Sequence, residues 1–200
     1  MPSRRRMSPE ERRESLLDVG ERLFGTGDFE ELSMQDMAAT AGVTRRLLYN
    51  HFPTKAHFFG AVWERAHTRL RTKASTTATA TVRDRIETAL TAYLDFYAEN
   101  LPLVLTANRS SVSADPAVRG PIDRVLASLW NSFLDDAGCT GHARDLADVG
   151  FTGWIAFVRA GTLAALLDQK ITPEENHELC MAALDSTVGA HVDLLVTRRH

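Results

Sequence analysis

The chain has 200 residues, a net charge of −3 and 44% hydrophobic residues. That is enough apolar sequence for one large or two smaller cores, and it excludes a protein that is basic over its whole surface, so any face for a polyanion must be local. Two cysteines, Cys139 and Cys180, are far apart and suggest neither a disulfide framework nor a zinc site, and no apolar run reads as a membrane span.

In chain order, residues 1–7 read as a tail carrying Arg4, Arg5 and Arg6. The tail has charge but no apolar stretch of the kind a signal peptide needs, which points to the cytoplasm. Ser8-Pro9-Glu10-Glu11 opens the first helix, with Ser8 as cap, Pro9 at the first helical position and Glu11 closing a capping box. Leu16, Val19, Leu23 and Phe24 make one apolar stripe, and Gly25-Thr26-Gly27-Asp28 ends it.

Residues 33–55 then read as two short helices joined by a tight turn, followed by the start of a third helix. Gly42 falls where the first short helix must end in a left-handed residue, and Ala38, four residues earlier, is small enough for a close crossing. The Thr44 hydroxyl caps the second short helix. At 100° per residue, Leu48 faces inward with Val43 packing from the turn, while Arg45, Arg46 and Tyr49 cluster on the other side. Two guanidiniums and a phenol suit a DNA groove: arginine forks onto guanine O6 and N7, and tyrosine reaches a phosphate or a thymine methyl. The pattern is a helix-turn-helix whose second helix enters the major groove. Thr54, Lys55 and His51 sit at its exit and at the next helix's N-terminus, where phosphate is favoured. An Arg-Arg pair alone would read as an ordinary solvated surface; Ala38, Gly42, Thr44 and Tyr49 in register favour DNA. The Arg4–Arg6 tail is either a DNA-touching arm or a solvated end.

A long helix follows to about residue 72, burying Phe58, Phe59, Val62, Trp63, Ala66 and Leu70. Residues 73–81 are small and polar and read as a loop or frayed end. Helices are predicted over 83–99 (Ile86, Ala89, Leu90, Tyr93, Leu94, Tyr97 inward), 101–110 and 121–136 (Ile122, Val125, Leu126, Leu129, Trp130, Phe133 inward), with breaks at Asn100, Pro102, the 111–116 loop and Gly138–Gly141. The last two helices are predicted over 142–169 and 173–197. The first is rich in Gly150, Gly153, Ala156, Ala160, Gly161, Ala164 and Ala165; the second opens with a Thr172–Glu175 capping box and carries Cys180, Leu184, Val188, Val192 and Leu195 on one stripe. Small residues this frequent allow close helix approach, either within the monomer core or to a second copy. No alternating strand pattern competes.

The run Ala38-x-x-x-Gly42-Val43-Thr44-x-x-x-Leu48-Tyr49-x-His51-Phe52-x-x-Lys55, with Leu23-Phe24, Phe29, Ser33, Met37 and Ala41 around it, resembles the DNA-binding domain of TetR/AcrR-type transcriptional regulators. The resemblance covers residues 10–60 and implies an all-α protein: an N-terminal three-helix helix-turn-helix domain over 1–54, and a C-terminal helical ligand-binding and dimerisation domain over 55–200. It places Gln35, Thr44, Arg45, Arg46, Tyr49, His51 and Lys55 at DNA-contact positions, and implies double-stranded operator DNA as partner and a homodimer through 142–169 and 173–197. Two residues depart from the pattern. Arg46 stands where a small residue is common, so the bases read should differ. Leu47 stands where Thr, Ser or Ala is common, and is either an apolar contact to a thymine methyl or added core.

The function expected is a transcription regulator, a repressor released from its operator by a small, largely apolar ligand. Candidate ligand contacts are Trp63, Tyr93, Tyr97, Asn108, Arg109, Trp130, Phe133 and Trp154, with Phe96 and Phe157 as further aromatics; each aromatic is more often plain core than a ligand contact. A buried Arg109 would need an anionic or carbonyl partner; a surface Arg109 would pair with Asp115. No cofactor, metal or catalytic residue is predicted. His177 and His191 lack converging carboxylates, and there is no H-E-x-x-H, G-x-S-x-G or phosphate-binding glycine loop. The alternatives are an all-helical small-molecule-binding protein or enzyme without DNA-binding activity, and a helix-turn-helix reused to bind protein.

Overall fold

The computed structural model describes residues 7–73 and 80–197, with backbone alone for 71–73. Among these, the elements are α1 (Pro9–Thr26), α2 (Met34–Thr40), α3 (Arg45–His51), α4 (Lys55–Lys73), α5 (Val82–Glu99), α6 (Leu101–Arg109), α7 (Pro116–Asp136), α8 (Gly141–Leu166) and α9 (Pro173–Thr187). An isolated antiparallel bridge joins Thr81 and Thr197. The fold is all-α. The Arg4–Arg6 tail and most of the 73–81 stretch lie outside the described residues. Contacts divide the chain into two compact units, Met1–Thr68 with Asn100–Arg124, and Arg69–Glu99 with Val125–His200.

In unit 1, α1 starts as its sequence dictates: Glu11 N donates to Ser8 Oγ at 3.1 Å and Ser8 N donates back to Glu11 Oε2 at 2.7 Å. The core is aromatic. Phe24 meets Phe58 and Phe59 edge-on, with centroids 5.6 and 5.2 Å apart, and Phe52 stacks on Phe58 at 4.6 Å. Such pairs add about 0.5–1.5 kcal/mol each beyond the apolar area they bury. Gly20 lets α1 cross α4, since a Cβ there would lie 2.6 Å from Val62 Cγ2. Outside the aromatics, Arg65 of α4 is ringed by three α1 carboxylates: Glu14 at 3.1 Å, Asp18 at 2.9 Å and Glu21 at 3.0 Å. Burial lowers the Arg65 pKa, but these acids outweigh it and the net shift is upward.

The same unit corrects one boundary. The helix expected from Pro121 begins at Pro116, because Asp115 caps it: Ala117 N donates to Asp115 Oδ1 at 2.8 Å. Pro121 sits inside α7 and cannot donate to the Ala117 carbonyl. Gly60 of α4 lies against that carbonyl so closely that a Cβ would collide with it.

Unit 2 is built on α8 and α9, which pack along each other and against α5. Its core gathers Ile86, Leu90, Trp130, Phe133, Trp154, Val158, Cys180 and Leu184, among others. The indole of Trp154 donates to Cys180 O at 2.7 Å and that of Trp130 to Asp148 Oδ1 at 2.7 Å. Two of the small residues on α8 have a purpose inside the monomer. A Cβ on Gly150 would strike the Thr187 carbonyl, and one on Gly161 would strike Asn176 Oδ1. Asn176 and Thr162 are both buried and form a 3.4 Å hydrogen bond between α9 and α8. The predicted capping box at the start of α9 forms, with Glu175 N donating to Thr172 Oγ1 at 3.1 Å.

The last helix ends at Thr187, ten residues before its predicted end. Val188 N and Gly189 N both return to Leu184 O, at 2.9 and 3.1 Å. Beyond them Val192 and Leu194 are buried while Asp193 and Leu195 are exposed, an alternation of period two. Leu195, placed on the helical stripe by spacing, is therefore outside. The extended tail supplies acceptors to the start of α5, where Val82 N donates to Val196 O at 2.9 Å and Arg83 N to Leu194 O at 2.8 Å. These are first-turn donors of α5 that no intrahelical carbonyl can reach. Likewise α8 ends at Leu166, three residues early. By length and composition α8 is apolar enough to cross a membrane, with mean hydropathy 1.4 over an 18-residue window, against the expectation that no run would qualify. Only 28% of that window is buried within the protomer.

Candidate nucleic-acid interface

The α2–α3 turn forms as its residue types require. Gly42 has φ +64, its N–H donates to Ala39 O and Val43 N donates to Ala38 O, both at 3.0 Å. This is the paired hydrogen-bond pattern that closes a helix through a left-handed glycine. Ala38 is buried at the crossing. Thr44 Oγ1 accepts from Leu47 N at 3.2 Å and caps α3, which leaves the hydroxyl proton available to a phosphate oxygen. A single side chain of α3, Leu48, is fully buried. Leu47 and Val43 are half-buried, so Leu47 contributes to packing.

That anchoring turns the other side of α3 outward. Arg45, Arg46 and Tyr49 are exposed, Tyr49 with 37% of its surface open. Arg45 lies over the Tyr49 ring, 5.4 Å from its centroid, with Nη2 3.5 Å from the phenol oxygen; the two are four residues apart and meet as neighbours on a helix surface. Arg46 has no ion-pair partner among the described residues. Gln35 of α2 is exposed, and His51 is half-buried beside Phe52.

At the start of α4, Thr54 Oγ1 accepts from His57 N at 3.2 Å and lies 2.8 Å from His57 Nδ1. Lys55 is drawn inward: its ammonium donates to Phe29 O at 2.7 Å and lies 4.2 Å from the Phe29 ring centroid. The structure thus brings Arg45, Arg46 and Tyr49 together on one open face and uses Lys55 to tie α4 to the α1–α2 loop. Sequence reading missed a neighbour of that loop. Ser111 N donates to Glu30 Oε1 at 3.0 Å, and this bond holds the Glu30 carboxyl below the usual glutamate range. Nothing in either segment's local pattern announces a pair 81 residues apart.

Residues 16–62 match the family described as bacterial regulatory proteins of the tetR family. That segment is a TetR-type DNA-binding domain. Over 64 residues it is 36% identical to the HTH-type transcriptional regulator AcrR of Shigella flexneri, a match covering 32% of this chain and 30% of that protein. Over 151 residues it is 24% identical to the HTH-type transcriptional activator FasR of Mycolicibacterium smegmatis, covering 72% and 69% of the two chains. In fold, it is similar to a solved tetR-family transcriptional regulator from Streptomyces coelicolor, with TM-score 0.68, 24% identity and coverage of 92% and 88%.

The eight candidate ligand contacts fall in both units. Trp63, Asn108 and Arg109 belong to unit 1. Trp63 stacks on Phe59 at 6.3 Å and meets His67 edge-on at 4.2 Å. Asn108 Nδ2 donates to Val104 O at 2.8 Å, and Arg109 is exposed in the last turn of α6. Tyr93, Tyr97, Trp130, Phe133 and Trp154 belong to unit 2. There Trp130, Phe133 and Trp154 share the core, Tyr93 packs against it, and the Tyr93 and Tyr97 rings lie 4.0 Å apart. Among the described residues no group of three or more His, Cys, Asp or Glu side chains gathers to hold a metal ion.

Proposed function

We propose that this protein is a DNA-binding transcription regulator that reads double-stranded operator DNA through α3, acts as a homodimer, and represses until a small, largely apolar ligand releases it. Residues 1–54 are the reading head and 55–200 the ligand-binding and dimerisation part. The observation that carries the reading is the open face of α3: Arg45, Arg46 and Tyr49 exposed together on a helix whose inward side chain Leu48 is fully buried. Gln35, Thr44, His51 and Thr54 complete the set around it, and Lys55, expected there too, instead holds α4 to the α1–α2 loop through Phe29.

The dimer reading rests on what α8 leaves uncovered. Gly150 and Gly161 are accounted for by α9, but a Cβ on Gly153 would meet nothing within 4 Å. On the same side of α8, by helical spacing, Leu146, Val149 and Phe157 are exposed, Val149 with 74% of its surface, and Leu179 of α9 is exposed as well. A contiguous apolar face with a small-residue centre fits a second copy of the same helices. A regulator of this kind works in the cytoplasm, and α8 serves that interface rather than a bilayer.

The test is a fluorescence-anisotropy titration with a DNA fragment enriched from a random pool. The Arg46→Ala, Tyr49→Ala double variant should lose about a hundredfold or more in affinity, at about 1–3 kcal/mol per good base contact, with its circular dichroism unchanged. Unchanged affinity would overturn the assignment of α3.

A further inference from the structure

We propose that Lys55 and Glu30 act on DNA binding at one remove: together they clamp the α1–α2 loop between the first turn of α4 and the α6–α7 loop, and the clamp fixes where α3 stands against the duplex. This rests on the DNA-binding function proposed above and adds two positioning residues to it. The clamp is built on neighbouring residues of one loop. Phe29 is buried, its ring 6.0 Å from that of Phe24 on α1 and 5.6 Å from that of Phe59 on α4. Its carbonyl accepts from the Lys55 ammonium at 2.7 Å, and the same ammonium lies 4.2 Å from its ring centroid. A charged donor on a carbonyl and a cation over a ring are both attractive, and here one residue receives both. Glu30 comes next. Its N–H donates to Asp28 Oδ1 at 2.8 Å, and its carboxylate accepts from Ser111 N at 3.0 Å.

Ser111 stands on a turn held by its own bonds. Ser110 Oγ donates to Thr106 O at 2.6 Å, Ser113 N to Ser110 O at 3.1 Å and Asp115 N to Val112 O at 3.0 Å, with Val112 buried beneath. All of these residues belong to unit 1. Two adjacent loop residues therefore join the start of α4 to a stiff turn. The join bears on α3 because only Phe52, Pro53 and Thr54 separate that helix from Lys55. A seven-residue helix with one buried side chain, Leu48, takes its orientation from what holds its ends. Hydrogen bonds to base edges weaken steeply once donor and acceptor move out of line, so a loosened clamp lowers affinity without removing a contact. Charge alone predicts otherwise for both residues. Removing the Glu30 carboxylate from a DNA-binding face should tighten binding, and removing a phosphate-bound Lys55 should flatten the salt dependence.

The experiment uses the full chain and a duplex enriched from a random pool, titrated at several salt concentrations and at a temperature where circular dichroism shows each variant folded. Lys55→Met should weaken binding about tenfold and leave the slope of log affinity against log salt unchanged. Glu30→Ala should weaken binding about threefold or more. The double variant should bind no worse than Lys55→Met, since both changes open one clamp. Hydrogen exchange without DNA reads the clamp itself: either single change should speed amide exchange in both residues 28–33 and residues 110–115. Unchanged affinity in either variant, a slope reduced by about 0.9 in Lys55→Met, tighter binding by Glu30→Ala, or faster exchange confined to one of the two segments would each overturn the proposal. A wild-type chain that bound no duplex would overturn the regulator reading and the positioning role with it, and the exchange data would still decide the clamp.

Discussion

The two units open different faces: unit 1 buries His67 and Thr106 and surrounds Arg65 with three acids yet exposes the arginines of α3, whereas unit 2 exposes the apolar side chains of α8. Unit 1 fills its centre with Phe24, Phe52, Phe58 and Phe59 and turns the arginines of α3 outward. Unit 2 pairs its interior polar groups across two helices, Asn176 against Thr162, and leaves Val149 and Phe157 of α8 outside. An outward arginine costs nothing to leave unpaired, because water solvates it, and it is free to meet an external anion. An inward polar group must find a partner in the chain or in a ligand. The difference teaches which side chains each unit leaves free for a partner: charged ones on α3 and apolar ones on α8.

The contrast can be broken in several places, and the largest effect is expected at the face that belongs to neither interior. Val149→Asp with Phe157→Asp puts two charges into the proposed α8 interface, where desolvating them costs several kcal/mol; sedimentation should show a monomer with the wild-type melting curve, and a persisting dimer would move the interface elsewhere. Leu48→Ala removes the buried anchor of α3 and should lower stability by about 2–5 kcal/mol in denaturant unfolding. Asn176→Leu tests whether unit 2 needs its interior polar pair: leaving Thr162 without this neighbour should cost about 1–3 kcal/mol. An unchanged melting point would mean the pair sets helix register without adding stability. The smallest effect is at Glu30. Its carboxyl is held below the ordinary value of 4.5, chiefly by the Ser111 backbone N–H. The ionised form is therefore favoured by folding, so the contribution is present above about pH 4.5 and fades as pH falls through the lower folded value. Glu30→Gln should flatten that acid limb of a stability-against-pH profile, and salt should leave the wild-type limb largely in place because the bond is to a backbone N–H.

Much of unit 1 was legible because its signals are local. Ser8 with Glu11, Gly42 four residues after Ala38, and Thr44 before Arg45 each specify a cap or turn within a few residues. The limits of legibility have a common cause. Lys55 bonding Phe29, Arg65 gathering Glu14, Asp18 and Glu21, and Glu30 meeting Ser111 join residues 26 to 81 positions apart, and no periodicity encodes such partners. The end of α9 was misread for a different reason. Val188, Val192 and Leu195 fit a helical stripe, yet Val192, Leu194 and Val196 also alternate, and the free N–H groups at the start of α5 decide in favour of the extended form.

The central claim is that two outward α3 faces, paired through α8 and α9, read DNA. Enrichment of wild-type protein on a random duplex pool, followed by sequencing, tests it most directly. The account predicts convergence on an inverted repeat with half-site centres separated by about one helical turn or a multiple of it, and no convergence for the Val149→Asp, Phe157→Asp variant. A pool that stays random with dimeric wild-type protein, or an enriched motif without two-fold symmetry, would contradict it.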